Sequence, residues 1–419
     1  MAQLSDVPAE VIDNILSFVP RADLPGLCLV NKSLHQTAQL FLYSTIKIGW
    51  SDHPNIPRPE LFAYINEVDL GGSYMYDNPE RPLLDTTGLS PNLNLFIDAI
   101  NKTQVSYTSL WIDRLIAGGM DALAGLLITN VSKIRCLHIG HNFVNGDDIF
   151  GKVLLSKVYG ELPAFERLKE VWYTKRRDCI QQRNEIFPYA ASLFYLPTAT
   201  NISVSMSNPE IFAWPREEPN LDHITHLSIN WLLEEYLIGI LVITPNLKSL
   251  FYTWIYHDNP DEELEYPLMD FDYLVDVLSF VKDTLEVFMF SMEIGDEERD
   301  GSTIEMKFKG TMRGLLEFDK LRFLSIPLVC LTGFAAEPIP LEQSIPANME
   351  VLHLRQKSLD DHGGIIHWLE RFRNREDKLE AIDRLIQPLV KTRINLHFVT
   401  AWTRALQIRT KRCAPGCHD

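Results

Sequence analysis

Apolar residues between positions 4 and 48 recur at the three-to-four-residue spacing of α-helices. Val11, Ile12, Ile15, Leu16 and Val19 follow a start signal of Asp6 and Pro8, and Pro20 closes the run. Asp23 is placed to cap a second helix carrying Leu24, Leu27, Val30 and Leu34, and a third carries Leu34, Ala38, Phe41 and Leu42. The pattern predicts three short helices. A trio of this size buries little surface, so its remaining apolar faces call for the rest of the chain or for a partner.

From about residue 60 the spacing changes. Seven-residue segments with apolar first, fourth and sixth positions recur, each followed by a helical or irregular stretch. They are IRCLHIG (134–140), LKEVWYT (168–174), ITHLSIN (224–230), LKSLFYT (247–253), LEVFMFS (285–291), LRFLSIP (321–327) and MEVLHLR (349–355), with weaker copies INEVDLG (65–71), YTSLWID (107–113) and NISVSMS (201–207). Their fourth positions fall at Val68, Leu110, Leu137, Val171, Val204, Leu227, Leu250, Phe288, Leu324 and Leu352. Each copy predicts a strand and a return, a unit that buries its apolar face by stacking on its neighbours. The expected fold is α/β: a three-helix module, then an irregular solenoid with a curved, mainly parallel sheet. An ordinary α/β domain of alternating strands and helices is the alternative.

Side chains alternate along a strand, so each fifth position points away from the core onto one face of the sheet. That column reads Asp69, Trp111, His138, Trp172, Ser205, Ser228, Phe251, Met289, Ser325 and His353. Trp111, His138, Trp172, Phe251, Met289 and His353 are the candidate binding residues, since aromatic anchors suit an interface. The alternative is that the returns fold over this face and bury them.

The 419-residue chain is 46% hydrophobic, with 39 Lys and Arg against 56 Asp and Glu, a formal charge of −17. That balance argues against a protein that coats nucleic acid or an anionic membrane. The charge is unevenly placed. Residues 258–305 hold 16 acids and two bases, mostly in DNPDEELE and GDEERD, whereas 371–412 hold 11 bases and four acids. The acidic runs are expected to be solvated loops, with steering of a basic partner as the other reading. The start, MAQLSDVPAEVIDN, lacks the basic and apolar regions of a secretory signal, and the longest aliphatic stretch, Leu237 to Ile243, is far short of the ~20 residues that cross a bilayer. The expectation is a cytoplasmic or nuclear protein with reduced cysteines.

Catalytic and metal signatures are weak. Asp296, Glu298, Asp300 and Gly301 imitate half a calcium loop, but its twelfth place is Lys307. His138 with His141, His223 with His226, and Cys413, Cys417 with His418 lack a full ligand set for a structural zinc site. His362 and His367 beside Asp360 and Asp361 are explained by the start of a helix, and no phosphate loop, nucleophile elbow or dinucleotide fingerprint is present. No cofactor, no metal and no enzymatic activity are expected.

The stretch LSDVPAEVIDNILSFVPRADLPGLCLVNKSLHQTAQLFLYSTIKI resembles the F-box, with a Leu-x-x-x-Pro-x-Glu opening, an Ile-Leu pair, Asp-Leu before the middle helix, Val-Asn-Lys and a closing Leu-Tyr. Val7 stands where Leu commonly precedes the proline. The repeats resemble divergent leucine-rich repeats, with the consensus Asn clear once, at Asn142, and 234–250 and 312–354 resemble segments of fungal F-box proteins. The resemblance implies docking to a Skp-type adaptor and, through it, to cullin and RING subunits of an SCF-type ubiquitin ligase. By motif position, Pro8, Ile15, Leu16, Leu24, Leu27 and Val30 are the implied adaptor contacts, and an unknown protein substrate would sit on the repeats. The implied domains are an F-box at 1–48, a recognition domain at 49–412 and a tail at 413–419. A ligase-independent scaffold, an enzyme on an ordinary α/β fold, and a plain helical cap on the following domain are the competing readings.

Overall fold

The computed structural model describes residues 7–50, 64–72, 93–140, 143, 148–174, 187–206, 208–209, 211–256, 268–294, 307–333, 339–355, 380, 384–389, 398–403 and 406–411. The chain forms two compact units, Met1–Ser203 and Val204–Asp419.

The first unit opens with α1 (Ala9–Ser17), α2 (Leu24–Cys28) and α3 (Lys32–Leu42), followed by β1 (Thr45–Trp50) and β2 (Glu67–Gly72). The expected three helices form, with shifted limits. Asp23 makes no side-chain cap on α2; the capping residue is Asn31, whose Oδ1 accepts from the Leu34 amide at 2.9 Å and starts α3. Leu34 therefore belongs to α3 alone and Val30 lies in the link. Helices α4 (Leu93–Thr103), α5 (Thr108–Ile116) and α6 (Met120–Asn130) lead into β3 (Cys136–Ile139), α7 (Ile149–Val158), β4 (Glu170–Tyr173), α8 (Phe187–Ser192) and β5 (Asn201–Ser205), inside which the division between the units falls. Strands β1 to β4 pair in sequence order, all parallel.

One expected strand is a helix. YTSLWID lies in α5, where Trp111 is fully buried and its Nε1–H donates to the Ala122 carbonyl at 2.9 Å, while Leu110, assigned to the core, is 51% exposed. The reason is period: Trp111 and Leu115, four residues apart, form the buried stripe, which a two-residue alternation misassigns. Trp111 is therefore a core residue and not part of a binding face. Beside it α6 is apolar nearly all round and buried nearly all round. Asp121, 1% exposed on α6, takes Arg114 Nε on one carboxylate oxygen and the Ile149 amide on the other, both at 3.1 Å, and so joins α5, α6 and the start of α7.

The second unit contains β6 (His226–Asn230), α9 (Glu234–Leu241), β7 (Ser249–Tyr256), β8 (Leu268–Asp270), α10 (Phe271–Leu278), β9 (Val287–Ile294), β10 (Lys307–Lys309), β11 (Phe323–Pro327), α11 (Leu328–Thr332), β12 (Val351–Arg355), β13 (Phe398–Thr403) and β14 (Leu406–Lys411). Its main sheet runs β6-β7-β9-β11-β12-β13-β14, parallel until the last pair, which is antiparallel; β8 and β10 form a separate parallel pair. Parallel pairing follows from the returns, which carry the chain back before each new strand.

Nine of the ten predicted segments are strands, and their fourth-position residues are all fully buried: Val68, Leu137, Val171, Val204, Leu227, Leu250, Phe288, Leu324 and Leu352. The fourth positions also pair with one another across each sheet: Val68 with Leu137 and Leu137 with Val171, then Leu227, Leu250, Phe288, Leu324 and Leu352 in turn. The sixth positions from Leu70 to Leu354 are buried on the same side. Among the described residues no helix is long and apolar enough to cross a membrane.

Candidate docking surfaces

The helical module sorts its apolar residues into two sets. Leu16 and Leu24, each 3% exposed, form its core with Ala38, and Ile12, Val19, Leu27, Cys28, Phe41 and Leu42 pack against them. Val11, Ile15 and Phe18 lie on the other side of α1, and Phe18 is 82% exposed. Leu29, 88% exposed, and Val30, also exposed, are further outward apolar residues of the module, in the link between α2 and α3. Of the six residues implied as adaptor contacts, Pro8, Ile15 and Val30 are exposed and Leu27 is half-buried. Leu16 and Leu24 are corrected: with Ala38 they form the centre of the three helices, so these side chains face inward. Val11, Phe18 and Leu29 were missed. The signal was in the sequence, since Val11, Ile15 and Phe18 form their own i, i+4, i+7 stripe beside Ile12, Leu16 and Val19.

This module is tied to the strands that follow it. Arg21 Nη2 donates to the Thr45 carbonyl at 2.8 Å, and the amides of Asn66 and Glu67 donate to the Ser44 carbonyl at 2.7 and 2.9 Å.

The solvent side of the first unit's sheet carries two rows set by the strand register. One runs Thr45, Glu67, Cys136, Glu170 and the next runs Lys47, Asp69, His138, Trp172. Thr45 Oγ1 donates to Glu67 at 3.2 Å, and Lys47 pairs with Asp69 at 3.1 Å. The His138 ring lies between Cys136 Sγ, 3.1 Å from its Nε2, and the Trp172 ring, 4.0 Å away between centroids. Burial, then the negative charges of Glu170, Glu67 and Asp69, push the Cys136 thiol up to about 12. His138 and Trp172 thus sit side by side on the predicted face, both half-buried.

In the second unit the corresponding row is Ser228, Phe251, Met289, Ser325 and His353. Phe251 is 38% exposed; Met289 and His353 are half-buried. Two members of the column, Ser205 and Ser325, are buried, because a short side chain between longer neighbours does not reach solvent. The row beside it is largely apolar, with Val287, Phe323 and Val351, and the Phe323 ring lies 5.1 Å from that of His353. Along the strand starts the charges pair off, Lys248 with Glu286 and Arg322 with Glu350, each at 3.5 Å.

Among the described residues no group of three or more metal-ligating side chains gathers. The acidic runs DNPDEELE and GDEERD, His141, Asn142, the His362 and His367 cluster, and Cys413, Cys417 and His418 lie outside the described residues.

No curated protein matches the chain. Residues 4–42, the segment that holds the whole helical trio and its exposed apolar stripe, match the F-box domain, so the chain carries an F-box at its N-terminal end.

Proposed function

We propose that this chain is a substrate-recognition subunit of an SCF-type cullin–RING ubiquitin ligase. The F-box docks a Skp-type adaptor, which links it to cullin and RING subunits, and the sheet holds a protein substrate on its exposed face. The strand-and-return units behind the F-box read as degenerate leucine-rich repeats of the kind found in fungal F-box proteins, because their fourth, fifth and sixth positions keep one register within each unit. On this reading the chain performs no chemistry itself. It raises the effective concentration of substrate lysines near a ubiquitin thioester carried by its partners, in the cytoplasm or nucleus.

The observation that carries the reading is the surplus apolar stripe of Val11, Ile15 and Phe18, with Leu29 and Val30, on a module too small to cover it. Full-length chain incubated with a Skp-type adaptor and cullin should capture both. Phe18→Asp combined with Leu29→Asp should abolish capture while leaving cooperative unfolding intact. Failure of the unaltered chain to bind an adaptor that a control F-box protein binds would overturn the proposal. Adaptor capture without cullin would favour a ligase-independent scaffold.

A further inference from the structure

The two sheet faces differ in how their charges are matched. Among the described residues of the second unit, the acids Glu286 and Glu350 at the strand starts have bases 3.5 Å away, Lys248 and Arg322 respectively. On the first unit's face Glu67 and Glu170 flank Cys136 on the two adjacent strands, Asp69 stands beside His138, and Lys47 pairs with Asp69. Glu67 accepts a neutral hydroxyl hydrogen bond there, from Thr45. Arg135 and Lys169 precede Cys136 and Glu170 in the chain and are exposed, so they stand at the strand starts and not in the row of Glu67 and Glu170.

We propose that the exposed face of β2, β3 and β4 docks a basic segment of a partner protein, with one Lys or Arg side chain held against Trp172 between the carboxylates of Glu67 and Glu170. The inference rests on the reading of the sheet as the substrate surface and names the substrate's chemistry. Glu67 and Glu170 occupy the same row on either side of Cys136, so they stand two strand spacings apart, roughly 10 Å. That gap admits one cationic side chain flanked by two carboxylates. Trp172, two residues beyond Glu170 on the same strand face, offers an indole ring already fixed by its contact with His138, and a ring so fixed binds a cation without first losing rotamer freedom. An acidic partner would meet like charge at the same place.

The test uses full-length protein and three fluorescent peptides on one Gly–Ser framework, bearing Arg and Lys, Glu, or only Ser. The basic peptide should bind and weaken as salt rises, and the other two should not bind. Trp172→Ala should reduce affinity about tenfold, Trp172→Phe should retain most of it, and the isosteric pair Glu67→Gln with Glu170→Gln should also reduce it about tenfold. Ile211→Ala, an exposed residue of the second unit outside the sheet row, should leave peptide affinity unchanged. Equal binding of the Glu or Ser peptide, or basic-peptide binding indifferent to changes at Trp172, Glu67 and Glu170, overturns the inference. Each preparation is also tested for adaptor capture. Capture without basic-peptide binding removes this inference and leaves the ligase reading standing, whereas loss of capture removes the ligase reading.

Discussion

Lys157 Nζ donates to the Pro163 carbonyl oxygen at 2.7 Å from a side chain that is 1% exposed. The amine also lies 4.5 Å from the centre of the Phe165 ring, so one carbonyl and one ring face replace its water. Burial lowers its pKa to about 8 from 10.5. Below pH 8 folding must carry a charged amine into the core, while the unfolded chain keeps its proton up to about pH 10.5. Stability should therefore rise between those two values, by at most ~3 kcal/mol. Lys157→Met should be more stable than the parent at pH 7 by about 1–3 kcal/mol and should lose this pH dependence. Urea denaturation at pH 7 and pH 10 measures both, and a destabilised Met variant at pH 7 would mean the amine's bond to Pro163 outweighs its desolvation.

Trp111 and Asp121 make the helical layer of the first unit one packed piece, through the Ala122 carbonyl, Arg114 and the Ile149 amide. Trp111→Ala should cost about 3–5 kcal/mol by opening a cavity, and Asp121→Ala a similar amount by leaving a buried amide and the guanidinium without their acceptor. Thermal unfolding is the measurement. A loss below about 1 kcal/mol for either would contradict the assigned packing.

Cys136, although half-buried, should react slowly with iodoacetamide at pH 8, because a thiol near 12 is thiolate only about once in 10⁴ molecules there. Glu67→Gln with Glu170→Gln should speed the reaction by removing two of the charges that hold the proton on. Mass spectrometry of labelled peptides follows it. Cys330, fully buried, should label only after unfolding.

The two stripes of α1 predict separable effects. Leu16→Ala should destabilise the helical module by about 2–4 kcal/mol, whereas Phe18→Ala should leave stability within about 0.5 kcal/mol and weaken adaptor capture at least tenfold. The module is nearly neutral, with three bases and four acids over residues 1–48, so capture should change little between low and high salt. Calorimetry and capture on the same samples check both. A Phe18 variant that unfolds early, or binds unchanged, would show that the outer stripe had been misassigned.

The sheet was readable because its signal is repeated: a fully buried fourth residue and a buried sixth, with a more exposed residue between them, survive in β3, β4, β6, β7, β9 and β12 despite poor consensus. The segment around Trp111 was misread because seven residues are too few to separate a period of two from one of 3.6 when an aromatic lies within the window. Strands β13 and β14 were not foreseen. FVTAWT and LQIRTK offer no fourth-and-sixth pattern, and an antiparallel hairpin joined by two residues belongs to no strand-and-return unit. On the helical module the positions of the apolar residues were plain, but their division into inner and outer stripes was not. It depends on which side of α1 the other two helices occupy, a tertiary relation.

The unequal returns have a bearing on how such a surface could diversify. Ser228, Phe251, Met289, Ser325 and His353 stand on adjacent strands although the chain between them varies widely in length. Insertions in the returns leave the order of that row untouched, and a substitution at its more exposed members, such as Phe251, changes one rung without displacing the next. Under the proposed function the row is thus a keyboard with independent keys: partner choice would drift one strand at a time while the buried columns beneath continue to hold the frame.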